Sequence, residues 1–305
     1  MSLPKVSIVL VNWNNIGDSM ECLDSLGRCV YRNCDVTVVD NGSDGDDARL
    51  LRERYGDTIR IIENERNIGF AGGCNLGIRD ALDTGADYVL LLNNDTVVPP
   101  HFLDELIGVV EGQRDVGIAG GKILCQEFPE LIWSAGGTID YRSGSTPVRG
   151  SGEIDDGRFD EEGEVDWICS CFMLVARDVW ERVGLLDERF FFGWEDADLC
   201  VRASKSGYRI LYVPGSVVWH KAFGESKKER LRGRPLYYAT RGHFIFLGKH
   251  FTKRQLVTAA LHFVTGFPRA MWDYSRMTGQ WKGPVYMFRA LFDAVRTAGA
   301  VKARQ

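Results

Sequence analysis

"YVLLLNNDTVVP", residues 88–99, decides the fold. A run of strand-forming residues from Tyr88 to Leu92 stops in Asn93, Asn94 and Asp95, and the chain then resumes an apolar pattern toward Pro99 and Pro100. Four further runs rich in Val, Ile and Leu, at residues 5–13, 35–43, 58–65 and 116–124, have the length and composition of buried strands. Residues 16–29, 44–55, 71–84 and 101–112, which lie between them, have helical length and spacing. Strands buried on both faces and separated by helices imply an α/β chain with a mainly parallel sheet. Ligands in such sheets bind beyond the strands' carboxyl ends. The strands here end in Asn12 and Asn14, Asp40 and Asn41, Asn64 and Glu65, and Asn93 to Asp95. Those polar groups would gather on one edge of the sheet.

Composition sets wider limits. With 305 residues, 45% of them hydrophobic and 26% charged, the chain can bury a full core. Eight cysteines include no CxxC pair and one CxC, so neither a zinc site nor a disulfide framework is expected, and a reducing, cytoplasmic setting fits. The start "MSLPKVSIVL" does not have the pattern of a signal peptide, and no apolar run approaches the roughly 18 residues of a spanning helix. The net charge of −5 hides an asymmetry. Residues 221–305 hold 17 Lys plus Arg against 4 Asp plus Glu, a balance of +13, while the first 220 residues carry −18. The basic part interleaves aromatics with cations, as in "LYYATRGHFIFLGKHF" at 236–251. That pattern suits helices lying on an anionic membrane surface, on its cytoplasmic face. It equally suits helices that pack on a catalytic core with their charges solvated. Nucleic acid is not expected as a partner, because the rest of the chain is acidic.

Taken singly, each motif has a plain structural explanation. "DNGSD" at 40–44 is ordinary turn and cap material. The glycines of "NIGFAGGCNLG" at 67–77 permit close backbone approach to a ligand but lack the spacing of a dinucleotide fingerprint, and no Walker pattern is present. In "FFFGWEDADLC" at 190–200, Glu195, Asp196 and Asp198 follow aromatics and begin a helical pattern. Acids in a first helical turn complement the macrodipole. A carboxylate among aromatics also has its pKa raised toward the range of a general base, and this functional sense carries more weight here. His220 ends another strand-like run and becomes a candidate metal ligand only beside a metal-binding aspartate.

In this order and at these separations, "VSIVLVNWNN", "VVDNGSDG", "NIGFAGGCNLG", "LLLNNDTVV" and "GWEDADLCVRASKSGYRI" resemble the motifs of inverting family 2 glycosyltransferases with the GT-A fold, closest in flavour to rhamnosyltransferase-like enzymes. The resemblance covers roughly residues 4–225, so a catalytic domain over 1–225 and a basic aromatic helical region over 226–305 are expected. It implies that Val11 to Trp13 receives the nucleotide base, with Trp13 stacking where the family often has Tyr, and that Asp40 bonds the base edge. Asn67 falls in the loop that approaches ribose or diphosphate. Asn93, Asn94 and Asp95 occupy the DxD-like position. Asn94 there helps hold ribose and the metal shell, and Asp95 ligates Mg2+ or Mn2+. His220 is the candidate second protein ligand. Asp196 is the implied base, with Glu195 holding the acceptor or sharing the task.

The chemistry agrees with that assignment. A nucleoside diphosphate leaving group gains negative charge as the bond to sugar breaks, and a divalent cation on its phosphates stabilises it without a proton donor. Hard oxygen ligands suit such a cation. A UDP- or dTDP-sugar donor, a rhamnosyl group and a glycan or polyprenyl-linked acceptor are the favoured substrates, in synthesis of a cell-surface polysaccharide or a glycoprotein glycan. Two alternatives are a sugar nucleotidyltransferase and a non-catalytic carbohydrate-binding module. The first should show an N-terminal Gly-rich loop with a basic residue, and "VNWNNIGDS" offers none.

Overall fold

The structure is a computed structural model that describes residues 3–221, 234–278, 287 and 289–294. The expected boundary at residue 225 lies outside these. Strands β1 (Val6–Asn12), β2 (Cys34–Asp40), β3 (Arg60–Glu63) and β4 (Tyr88–Leu92) pair in parallel in the order β3-β2-β1-β4. The sheet continues through β9 (Phe172–Ala176), β6 (Val116–Cys125), β10 (Arg209–His220) and the short β5 (Thr96–Val97). Two further short strands, β7 (Ile132–Ser134) and β8 (Gly163–Glu164), pair with β6 and β10. Among these, β9 runs antiparallel to both β4 and β6 and so separates the parallel set β3-β2-β1-β4 from the parallel pair β6 and β10, while β5, β7 and β8 pair antiparallel with their neighbours.

Continuous apolar strands read as buried on both faces, and β1, β4 and β6 are, whereas no residue of the edge strand β3 is buried. In β1, Ile8 and Leu10 join a core layer with helices α1 (Ile16–Leu26) and α4 (Phe102–Val110), while Val9 between them joins the opposite layer with α3 (Phe70–Asp83). The period of two in side-chain direction produces that division. Helix α2 (Asp47–Tyr55) adds Leu51 to the first layer. Helices α5 (Arg177–Val183) and α6 (Glu195–Lys205) add Trp180 and Leu199 to the second. The four helices expected between strands all form, each within a few residues of its expected limits.

Strand β10 carries a register shift between Val213 and Val217 where it pairs with β6. Gly121 makes room for it, since a Cβ there would run into the Ser216 carbonyl. The bulge re-aims the end of β10, so that His220 pairs opposite Thr96 of β5.

Among the described residues the basic region forms α7 (Arg234–His250) and α8 (Lys253–Thr278). Ile245, Phe246 and Leu247 of α7 are buried in the second core layer, which places that helix against the catalytic fold. Lys249 and His250 at its end reach Asp198 of α6 at 2.5 and 2.7 Å. The insert 125–163 folds back through β7 and bridges such as Gly137–Val148. Buried Lys122 anchors it by holding Asp155 and Asp160, and the Gly144 carbonyl meets His243 of α7 at 3.0 Å.

Candidate functional site

The carboxyl end of β1 is held by one buried side chain. Asn12 donates from Nδ2 to Asp40 at 3.2 Å, to Ser43 Oγ at 3.2 Å and to Asp47 at 2.9 Å, and its Oδ1 accepts from Ser19 Oγ at 2.8 Å. This network fixes Asp40 at the end of β2, where Ser43 Oγ also donates to it at 2.5 Å. Asp40 is 6% exposed, while Trp13 stands 41% exposed just beyond β1. Val11 packs beside α3, within reach of any Cβ placed at Gly73.

Asn67 belongs to a second amide cluster. Asn41 donates to Asn67 Oδ1 at 3.3 Å and to the Gly69 carbonyl at 3.0 Å, and Asn67 Oδ1 accepts the Gly69 N–H at 2.8 Å. Gly69 sits at φ +89°, and a Cβ there would lie 2.7 Å from the Phe191 carbonyl oxygen. The next residue, Phe70, donates its N–H to that same oxygen at 2.7 Å. The glycine-rich turn is thus tied to the aromatic run that leads into α6.

The Asn93–Asp95 turn follows β4. Asn94 Nδ2 donates to Ser19 Oγ at 2.7 Å and approaches Asn12 Oδ1 at 3.5 Å, which joins it to the β1 network. Asp95 Oδ1 lies 3.1 Å from His220 Nε2, because β5 and β10 place Thr96 opposite His220. The His220 ring is 2% exposed and tilts against Trp133 with centroids 4.6 Å apart. Among the described residues no group of three or more His, Cys, Asp or Glu could enclose a metal ion. One hard carboxylate beside one imidazole nevertheless fits a divalent cation whose other ligands are phosphate oxygens and water.

The acidic pair reaches the same edge through β9. Asn93 N–H donates to the Cys171 carbonyl at 3.0 Å, and the adjacent Ser170 donates from Oγ to Glu195 at 3.2 Å and from N–H to Asp196 at 3.4 Å. Asp196 also accepts the Ala197 N–H at 2.7 Å. Among the described residues Glu195 Oε2 is buried with no hydrogen-bond partner. Trp194, at φ +78°, turns the chain into α6 and stacks on His243 of α7 with centroids 4.8 Å apart.

Burial raises both carboxyls, and the Asp196 charge adds to it at Glu195, which is pushed up to about 8. Backbone N–H groups favour the ionised form of Asp196, so the aspartate loses its proton first and the glutamate keeps its own to higher pH. For Asp198 burial alone would raise the pKa, but His250, Lys249 and Arg202 outweigh it and hold the carboxyl low.

All of the residues singled out from the sequence therefore lie at one end of the sheet. Two surface hollows of about 430 Å3 lie elsewhere, at the amino ends of β1 and β4 and of β10, away from this polar edge. Ser19, Ser43, Asp47 and Ser170 were not singled out from the sequence. Their local signal is only a polar residue in a helix, a turn or a strand entrance, and it gains meaning once β1, β4 and β9 are paired.

Comparison with known proteins agrees with this geometry. Residues 4–234 match the family described as glycosyltransferase-like family 2. The dTDP-rhamnosyl transferase RfbF of Shigella flexneri is 25% identical over 76% of this chain and 78% of its own. The N-acetylglucosaminyl-diphospho-decaprenol L-rhamnosyltransferase of Mycobacterium tuberculosis is 27% identical over 65% and 70%. Among solved structures, GalNAc-T7 with UDP, GalNAc and Mn2+ aligns with a TM-score of 0.62 at 15% identity, over 81% of this chain and 48% of that one. The TarS 1-349 fragment of S. aureus with UDP-GlcNAc aligns at 0.61 and 15% identity, over 96% and 81%. These two likenesses concern the fold, which is GT-A. A family match across three-quarters of the chain, on a GT-A sheet with its amides and acids gathered at one end, means that the protein belongs to the family 2 glycosyltransferases.

Proposed function

We propose that the protein transfers a sugar, with rhamnose favoured, from a UDP- or dTDP-linked donor to a glycan or polyprenyl-linked acceptor, with inversion at the anomeric carbon. The observation that carries this is the link through Ser170 and Cys171, which sets the Asn93–Asp95 turn beside Glu195 and Asp196. Inverting transfer needs a diphosphate-binding end and a base at one reacting carbon. The two named relatives, both rhamnosyltransferases, support the choice of sugar, and the mycobacterial one supports a lipid diphosphate acceptor.

In this assignment Trp13 stacks on the base, Asp40 and Val11 border it, and Asn67 and Asn94 face ribose and diphosphate. Asp95 and His220 would hold Mg2+ or Mn2+, which supplies positive charge for the departing diphosphate. Asp196 takes the proton from the acceptor hydroxyl as its oxygen bonds to the anomeric carbon and the bond to diphosphate breaks. Being the first of the pair to ionise, it is the carboxylate available to act as the base. Glu195, still protonated, holds Ser170 and the acceptor side. Titration of UDP and dTDP with and without Mn2+ tests the division of roles. Asp95→Ala should weaken metal-dependent nucleotide binding at least about tenfold. Asp196→Asn should leave binding intact and lower turnover by about 10²–10⁴-fold. Unchanged turnover in the second variant removes Asp196 as the base.

A further inference from the structure

Helix α8 has two unlike faces. Ala259 and Phe263 face inward, with Ala259 buried and Phe263 edge-on to Phe244 of α7 at 5.2 Å. Val257, Leu261, Val264 and Trp272 stand 61–68% exposed. At 3.6 residues per turn, positions 257, 261, 264 and 272 fall on one stripe, opposite 259 and 263. Exposed Lys253, Arg254 and Arg269 flank the stripe. Four large apolar side chains aligned on one exposed face, bordered by cations, are more than the scattered surface hydrophobics of a soluble helix. No helix among the described residues is long and apolar enough to span a bilayer.

We propose that this face of α8 docks on the surface of an anionic lipid bilayer, with the stripe in the headgroup zone and the flanking cations against lipid phosphates. Charge selects this occupant over a second copy of the chain. The region from 221 onward carries +13, so two such faces would repel, whereas an anionic surface attracts both. The placement also matters for transfer. Through Phe244 and Phe263, α8 lies against the helix whose His243 stacks on Trp194, the residue preceding Glu195. The docked face is then one helical layer from the acidic pair. The proposal deepens the lipid-linked acceptor suggested above and rests on it only for its purpose.

Flotation of the full chain with phosphatidylcholine vesicles, with and without phosphatidylglycerol, tests it without any acceptor. Wild type should float with the anionic vesicles and far less with the neutral ones. The triple variant Val257→Glu, Leu261→Glu, Val264→Glu should lose partitioning by more than about tenfold. Its nucleotide binding and melting temperature should match wild type, because these side chains are mostly exposed. Wild type that stays out of anionic vesicles, a triple variant that floats equally, or a wild-type dimer that the variant converts to monomer would each overturn the proposal. Failure of Asp196→Asn to lose turnover with flotation intact would instead count against the catalytic assignment alone.

Discussion

Replacing Glu195 by Gln separates the two buried acids, and the structure sets the size of the effect. Glu195 is 3% exposed, its Oε2 has no hydrogen-bond partner among the described residues, and burial with the neighbouring Asp196 charge raises it to about 8 from 4.5. In the unfolded chain it ionises near the lower value, so between pH 4.5 and 8 the folded state binds more protons than the unfolded one. Stability from this group is therefore complete below the lower value and is lost as pH rises through the upper one. At about 1.4 kcal/mol per tenfold in proton affinity the ceiling is ~5 kcal/mol, and relaxation around the buried pair brings the expected effect to ~2–3 kcal/mol. Gln is neutral at every pH and keeps the Ser170 contact, so it escapes the loss. Urea unfolding of both proteins at steps from pH 4 to 9 should give matching stabilities at the acid end. The variant should gain progressively to ~2–3 kcal/mol by pH 9. Parallel pH dependence of the two proteins would refute the assignment of Glu195 as the late-ionising member.

Two further substitutions test the supports of the site. Gly69→Ala combines a left-handed backbone with a Cβ 2.7 Å from the Phe191 carbonyl, and should cost about 1–3 kcal/mol in denaturant unfolding. It should also weaken donor binding in calorimetry, because the turn that carries Asn67 must move. His250→Ala removes the 2.7 Å contact to fully buried Asp198, leaving Lys249 and Arg202 to hold the carboxylate. A loss of about 1–3 kcal/mol in unfolding free energy is expected, with nucleotide binding unchanged.

Much of this fold was legible in the linear chain. Apolar runs of strand length, each stopping in amide or acid, are readable because strand burial and turn chemistry are local properties, and β1, β2 and β4 formed where their Val-, Ile- and Leu-rich runs stand. The antiparallel insertion of β9 was not legible, since "FMLVA" carries no mark of the direction in which it will pair. Ser170 is the consequence: a serine before a strand becomes the bridge between the two halves of the site only after β9 lies beside β4. For the basic region, composition left core packing and membrane contact equally open. The structure gives α7 to the core through Ile245, Phe246 and Leu247, and leaves the stripe on α8 outside.

Residue order alone thus determined which side chains end the strands and which carboxylates stand among aromatics, because backbone alternation and helix periodicity act over a few residues. Only the tertiary structure decided that Asp95 meets His220, 125 positions away, and that Ser170 holds both Glu195 and Asp196. Those meetings depend on sheet order and on the bulge in β10, which are set by packing between segments distant in sequence, and such packing has no local signature.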